Sequence, residues 1–225
     1  MNATVRTGHD RSTVDPAKLR SARSPRSEDK RLRILAAARE VFLQHGFQAA
    51  SMDLVATAAG VSKVTIYSKF GSKQDLFSAI VDDICEQILA MEIILPEAVE
   101  SSHEGLTELA VRYALVLFGP DVLALARLAI GENHNEKLLG RLYYRAGPAR
   151  ARTGLADLLR AMSDSGDLAI DDPELAADQF VALLQPRRYY ALLDPAASPS
   201  TEEIERIARA GVEVFLSHYA TRPQH

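Results

Sequence analysis

A single cysteine, Cys85, stands in 225 residues, so no disulfide can close within the chain, and a reducing compartment is the natural reading. Cys85 is expected to pack as a small apolar residue. No run approaches the roughly 18 to 20 apolar residues that cross a bilayer, and the amino terminus lacks the apolar core of a signal peptide. A cytoplasmic protein with no membrane partner is therefore expected. Also missing are the usual chemical signatures: there is no GxSxG, HExxH, Gly-rich phosphate loop or CxxC, so no enzyme and no cofactor are expected. The six histidines (His9, His45, His103, His134, His218 and His225) are scattered, and none pairs at helical i, i+4 spacing. His134 lies near Glu132 and Glu136, but a solvated carboxylate face is the preferred reading and no metal is expected. No convincing period-2 run is bounded by turns, which excludes a sheet and leaves helices throughout.

What is present is an ordinary globular composition, 47% hydrophobic and 25% charged, with length enough for one or two domains and ample core. The charge is unevenly spread. Residues 1–75 hold 13 Lys and Arg against 7 Asp and Glu, whereas the remainder holds 13 against 23. A basic head on an acidic body suits a phosphate-binding module joined to a domain of another kind.

The most informative stretch is Ser51 to Phe70, SMDLVATAAGVSKVTIYSKF. Ser51 can cap a short helix whose apolar stripe is Leu54, Val55, Ala58 and Ala59. Gly60 stops that helix, because a positive φ is cheap only without a Cβ. Ser62 caps a second helix in which Ile66 and Phe70, four apart, face inward. Lys63, Val64, Thr65, Tyr67, Ser68 and Lys69 then lie on the outer arc, which presents donors, methyls and positive charge. Such an arc suits the major groove of double-stranded DNA. Lys63, Val64 and Thr65, near the helix start, are placed for base edges, and Tyr67 and Lys69 for phosphates. Before this pair, a helix is expected over 28–45, capped by Ser27, with Ile34, Leu35, Ala38, Val41 and Phe42 inward. Gly46 ends it and Phe47 plugs the small core. Ser72 should cap a long fourth helix carrying Leu76, Phe77, Ile80, Val81, Ile84, Ile88 and Leu89 on its inner face.

At AREVFLQHGF and AGVSKVTIYSKFGSKQDLF the chain resembles the tetracycline-repressor (TetR) family of one-component regulators, over about residues 28–88. The resemblance implies an all-α fold of about nine to ten helices, with a three-helix DNA-binding head and a fourth helix leading to a larger helical-bundle domain. It implies DNA contact by Ser51, Met52 and Ser62 as well as the outer arc, and by Lys73 on a backbone phosphate. It further implies repression relieved by a small molecule of unknown identity. Val64 and Ser68 depart from the family's habit, which puts a small residue at the first position and a larger polar or aromatic one at the second.

The expected organisation is a disordered basic arm over 1–27, the DNA-binding domain over 28–88 with its helix-turn-helix at 51–70, and a ligand-binding and dimerisation domain over 89–220. Body helices are expected near 103–118, 121–131, 135–146, 148–165, 173–192 and 201–219, with Gln185-Pro186 kinking the fifth of these. Candidate pocket residues are Phe118, Arg127, Tyr143, Tyr144, Phe180 and Gln185, aromatic walls with a few polar anchors. Arg187 and Arg188 beside Tyr189 and Tyr190 form a candidate anion anchor. By the resemblance, the last two helices make a homodimer seam including Leu183, Ile204, Ile207, Gly211, Val212 and Phe215. Two heads related by a dyad would read a palindrome. The alternative is a helical small-molecule-binding or interaction protein whose head has no DNA role.

Overall fold

The computed structural model describes the backbone of residues 25–98, 102–132 and 138–221, and the side chains of 26–86, 103–132 and 138–221. Most of the basic arm, the side chains of Ile88 and Leu89, and His134 and Glu136 lie outside the described residues. The fold is all-α. Helix α1 spans Pro25–His45, α2 Met52–Ala59, α3 Lys63–Phe70, α4 Lys73–Ala98, α5 Ser102–Leu117 and α6 Pro120–Gly131. Then follow α7 Leu138–Ala146, α8 Pro148–Asp164, α9 Pro173–Leu184, α10 Arg188–Leu193 and α11 Thr201–Tyr219. No single helix among the described residues is long and apolar enough to cross a membrane.

Helix α1 begins at Pro25, ahead of the expected start, because proline at the first helical position needs no amide partner. Ser27 therefore lies inside the helix, where its hydroxyl accepts from Lys69 Nζ at 3.1 Å. The five core residues expected on α1 are all buried. Phe42, Phe47 and Phe77 meet with centroids 5.4 to 6.1 Å apart, so three aromatic rings from two helices and a loop fill the centre of the head. Gly60 ends α2 at φ +63° and returns its amide to the α2 carbonyls, as its missing Cβ allows. Ser51 Oγ accepts from the Leu54 amide at 3.1 Å, Ser62 Oγ from Thr65 at 3.2 Å, and Ser72 Oγ from Asp75 at 3.0 Å.

The expected stripe on α2 is corrected. Met52, Val55, Ala56 and Ala59 are buried, while Leu54 and Ala58 are exposed. The head is not sealed off from the body, because Leu125 and Ala129 of α6 and Leu139 of α7 belong to the same buried cluster as Ile34, Phe42 and Phe77. A second core is built by α5, α8, α9 and α11, with Phe180 and Phe215 edge to face at 5.1 Å.

The helix expected over 173–192 is broken rather than kinked. Proline at 186 supplies no amide and crowds the preceding turn, so α9 stops at Leu184 and α10 restarts at Arg188. The stripe assigned to a dimer seam is also corrected. Ile204, Gly211, Val212 and Phe215 are buried within the protomer, and Leu183 and Ile207 are half-buried. Gly211 does permit close approach, but within one chain: a Cβ there would lie 3.2 Å from the Leu183 carbonyl oxygen. A Gly211→Val variant should lose about 1–3 kcal/mol of stability through overpacking, read as a lowered melting temperature. An unchanged melting temperature would mean that α9 and α11 have room to part.

Candidate nucleic-acid interface and its link to a body cavity

The reading surface rests on how α3 is seated. Ile66 is fully buried and Phe70 half-buried, so the helix is fixed on one side, and Val64, at 76% exposure, stands on the other. Lys63, Tyr67, Ser68 and Lys69 are exposed and Thr65 is half-buried, its hydroxyl 2.9 Å from that of Ser62. Ser51 and Ser62, the two caps, flank this surface and are exposed. Donors, a valine side chain and two ammonium groups are thereby collected on one face of an eight-residue helix.

Not every expected contact residue is free to reach DNA. Met52 is a correction: its side chain is 5% exposed and belongs to the head core. Lys63 Nζ is paired with Asp53 Oδ2 of α2 at 2.8 Å, and the hydrogen bond to that carboxylate raises the lysine's pKa. Any base contact by Lys63 must compete with this pair or use the ammonium's remaining donors. Lys73 is turned inward: its ammonium donates to the carbonyls of Gln48 and Ala50 at 3.2 and 2.9 Å and sits 4.6 Å from the Phe47 ring centroid. Burial lowers its pKa, and the charge of Glu132 partly offsets that. An ammonium has three donors, so two carbonyls leave one for a phosphate.

Sequence reasoning missed the junction between head and body. Glu132, at the C-cap of α6, accepts from the Phe47 amide at 2.7 Å and from the Gln48 amide at 3.1 Å. At the other end of α6, Asp121 pairs with Arg39 of α1 at 2.9 Å. Gly46, at φ +78°, leaves room for the hook, since a Cβ there would come within 2.7 Å of Glu132 Oε1. The only sequence signal was an acidic residue directly after Gly131, which looks like a solvated charge.

The body holds a cavity of about 690 Å³. Of the candidate pocket residues, Tyr143, Tyr144 and Gln185 line this cavity, whereas Phe118, Arg127 and Phe180 do not. Phe118 and Phe180 are core residues, and Arg127 donates to the Ala191 carbonyl at 3.0 Å, tying α6 to α10. Cys85 also lines the cavity, its Sγ 3.5 Å from the Gly147 carbonyl. Of the candidate arginine pair, Arg188 reaches the cavity, while Arg187 pairs with Glu203 at 2.9 Å. Helix α6 contributes Val122, Leu125, Ala126 and Ile130 to the wall, so one helix borders the cavity and carries two polar links to the head, beside the Arg150–Asp82 ion pair that ties α8 to α4.

A helix-turn-helix head with a seated, outward-facing second helix, joined to a helical body around a cavity, defines a DNA-binding regulator. Two family models match the chain: "Bacterial regulatory proteins, tetR family" over residues 34–80, and "AefR-like transcriptional repressor, C-terminal domain" over residues 104–221. The protein belongs to the TetR family of transcriptional regulators. A TetR-family regulator from Mesorhizobium loti MAFF303099 is similar in structure, with a TM-score of 0.75 at 32% identity, covering 88% of this chain and 100% of that one. The Flavonoid-responsive Regulator FrrA follows with a TM-score of 0.66 at 31% identity, over 87% and 99% of the two chains. Curated relatives match over shorter stretches. The transcriptional activator FasR of Mycolicibacterium smegmatis is 47% identical over 62 residues, 28% of each chain. The regulator UidR of Escherichia coli K12 is 34% identical over 107 residues, 47% of this chain and 53% of that one. The chain thus spans 28% and 53% of the length of these two curated relatives.

Proposed function

We propose that the protein is a repressor that binds a palindromic operator as a homodimer and is released when a small molecule occupies the body cavity. The observation that carries this reading is α6, which forms cavity wall along its length and holds the head at both ends through Asp121 and Glu132. A ligand that shifts α6 shifts the α1 surface and the Phe47 loop with it. Repression is favoured over activation because the body, which would carry the response, matches the AefR-like repressor model, whereas the likeness to FasR covers only 62 residues. The dimer surface is the outer side of α9 and α11, where Leu175 and Val214 are exposed. Two heads would then meet half-sites about one helical turn apart, or a multiple of it.

The mechanism is a population shift between a conformer whose reading helices match successive major grooves and one whose heads are splayed. Linkage makes the coupling reciprocal, at about 1–3 kcal/mol, so operator DNA weakens effector binding by the same factor. Gel-shift titration against the DNA adjoining its own gene, across a range of salt, is the direct test. Binding should weaken steeply as salt rises. Lys69→Ala should weaken all sequences alike and reduce the log-log salt slope by about one, while Lys63→Ala should change sequence preference. If both variants act alike on specific and random DNA, the division of α3 into reading and positioning residues is wrong.

A further inference from the structure

Resting on the reading of the cavity as an effector site, we propose that it takes a monoanionic amphiphile: an apolar body carrying one acidic oxygen, which Arg188 and Tyr143 anchor. Arg188 is half-buried and lines a cavity whose walls are largely aliphatic, including Val116, Leu125, Val181 and Leu192. Its guanidinium donates to the Leu117 carbonyl at the end of α5 and, at 3.5 Å, to the Tyr143 hydroxyl. Both partners are neutral. Among the described residues no Asp or Glu lies within ion-pair distance of Arg188, in contrast to Arg152 at the same cavity, whose charge is matched by Asp178 at 2.6 Å.

A guanidinium drawn partly out of water without a counter-charge is costly to keep, and a ligand carboxylate or phenolate relieves that cost. Arginine offers five N–H donors in a fixed fork, and two bonds to neutral oxygens leave the others for a planar acid. Tyr143 accepts from Arg188, so its own O–H proton is free to donate to the same acidic oxygen. The guanidinium and the phenol converge on one point of a largely aliphatic chamber, whose other charged lining groups, Arg152 and Asp178, are paired with each other. That arrangement selects charge and one acceptor, not a polar surface. A neutral ligand of the same shape would fill the walls and leave Arg188 desolvated.

The test is calorimetric titration of the full-length protein with two matched pairs: naphthoate against naphthamide, and pentachlorophenolate against pentachloroanisole. The anion should bind about tenfold or more tightly than its neutral partner in at least one pair, and the pair that shows it names the acid. Arg188→Met should erase that margin, with the neutral partner binding at least as tightly as before because no guanidinium is left desolvated, and Arg188→Lys should keep part of it. Tyr143→Phe should trim the margin severalfold without disturbing the Leu117 carbonyl, which guards against a fold defect in the arginine variants. Equal affinity within both pairs, no binding of any of the four compounds, or a margin that survives Arg188→Met overturns the proposal. An anion that binds with the expected margin but leaves operator affinity unchanged upholds the anion site and refutes effector-driven release instead.

Discussion

An Ile66→Ala variant should lose specific DNA binding while its body stays folded. An eight-residue helix has no stability of its own in water, so α3 holds its position only through its seat on α1, α2 and α4. Beside the exposed ties of Lys63 to Asp53 and Lys69 to Ser27, that seat consists of the Ser62 cap, the half-buried Phe70 and one fully buried side chain, Ile66. Truncating a buried isoleucine to alanine costs about 2–5 kcal/mol, a large share of the 5–15 kcal/mol that stabilises a typical domain. The loss falls where the reading helix docks, so operator affinity should drop by more than tenfold. The body core around Phe180 and Phe215 shares no residue with the head cluster and should keep its helical signal. Val64→Ala is the matched control. At 76% exposure it should move stability by no more than about 0.5 kcal/mol and alter only base preference. An Ile66→Ala protein that binds the operator within twofold of wild type would show that α3 is held by something other than its buried face.

The elements most legible in the sequence are those decided locally. Ser51, Ser62 and Ser72 cap because their hydroxyls reach amides three residues on, and Gly60 stops α2 because a left-handed residue is needed there. The face of α3 was equally legible, since Ile66 and Phe70 are its sole large aliphatic and aromatic residues four apart besides the polar-tipped Tyr67. Helix α2 was not, because two overlapping stripes satisfy helical spacing. One runs through Leu54 and Ala58, the other through Met52 and Ala56, and only the packing of α1 selects the second. The apolar face of α11 shows the same limit on a larger scale. Its spacing announces burial but not the partner, and Gly211 turned out to admit Leu183 of the same chain. Pocket residues were legible only in part. Phe118 and Phe180 have the chemistry of cavity walls and of core alike, whereas Arg188 meets Tyr143 across a separation of 45 positions.

Glu132 is the case in which a residue without a local signature should have the largest effect on regulation. Glu132→Ala should leave effector binding to the free protein nearly intact and bring the operator affinities with and without effector close to each other. The reason is mechanical. Both carboxylate oxygens hold the backbone just after α1, at Phe47 and Gln48, and that loop also carries the ring on which Lys73 rests. A hydrogen bond to a charged group contributes about 1.5–3 kcal/mol, comparable to the 1–3 kcal/mol of a typical allosteric coupling. Removing the hook therefore takes away as much free energy as the effector has available to transmit. The other links, Arg39 to Asp121 and Arg150 to Asp82, are more exposed ion pairs and contribute about 0–1 kcal/mol each, too little to take over. Glu132→Gln should fall between the two proteins, because the amide keeps one acceptor oxygen but not the charge, while Asp121→Asn should stay near wild type. The measurement is operator affinity for each variant in the absence and presence of a saturating anionic probe, together with hydrogen exchange at the Phe47 and Gln48 amides. Faster exchange at those amides with an unchanged affinity ratio would mean that the head follows the body through the shared cluster of Leu125, Ala129 and Leu139 and not through this carboxylate.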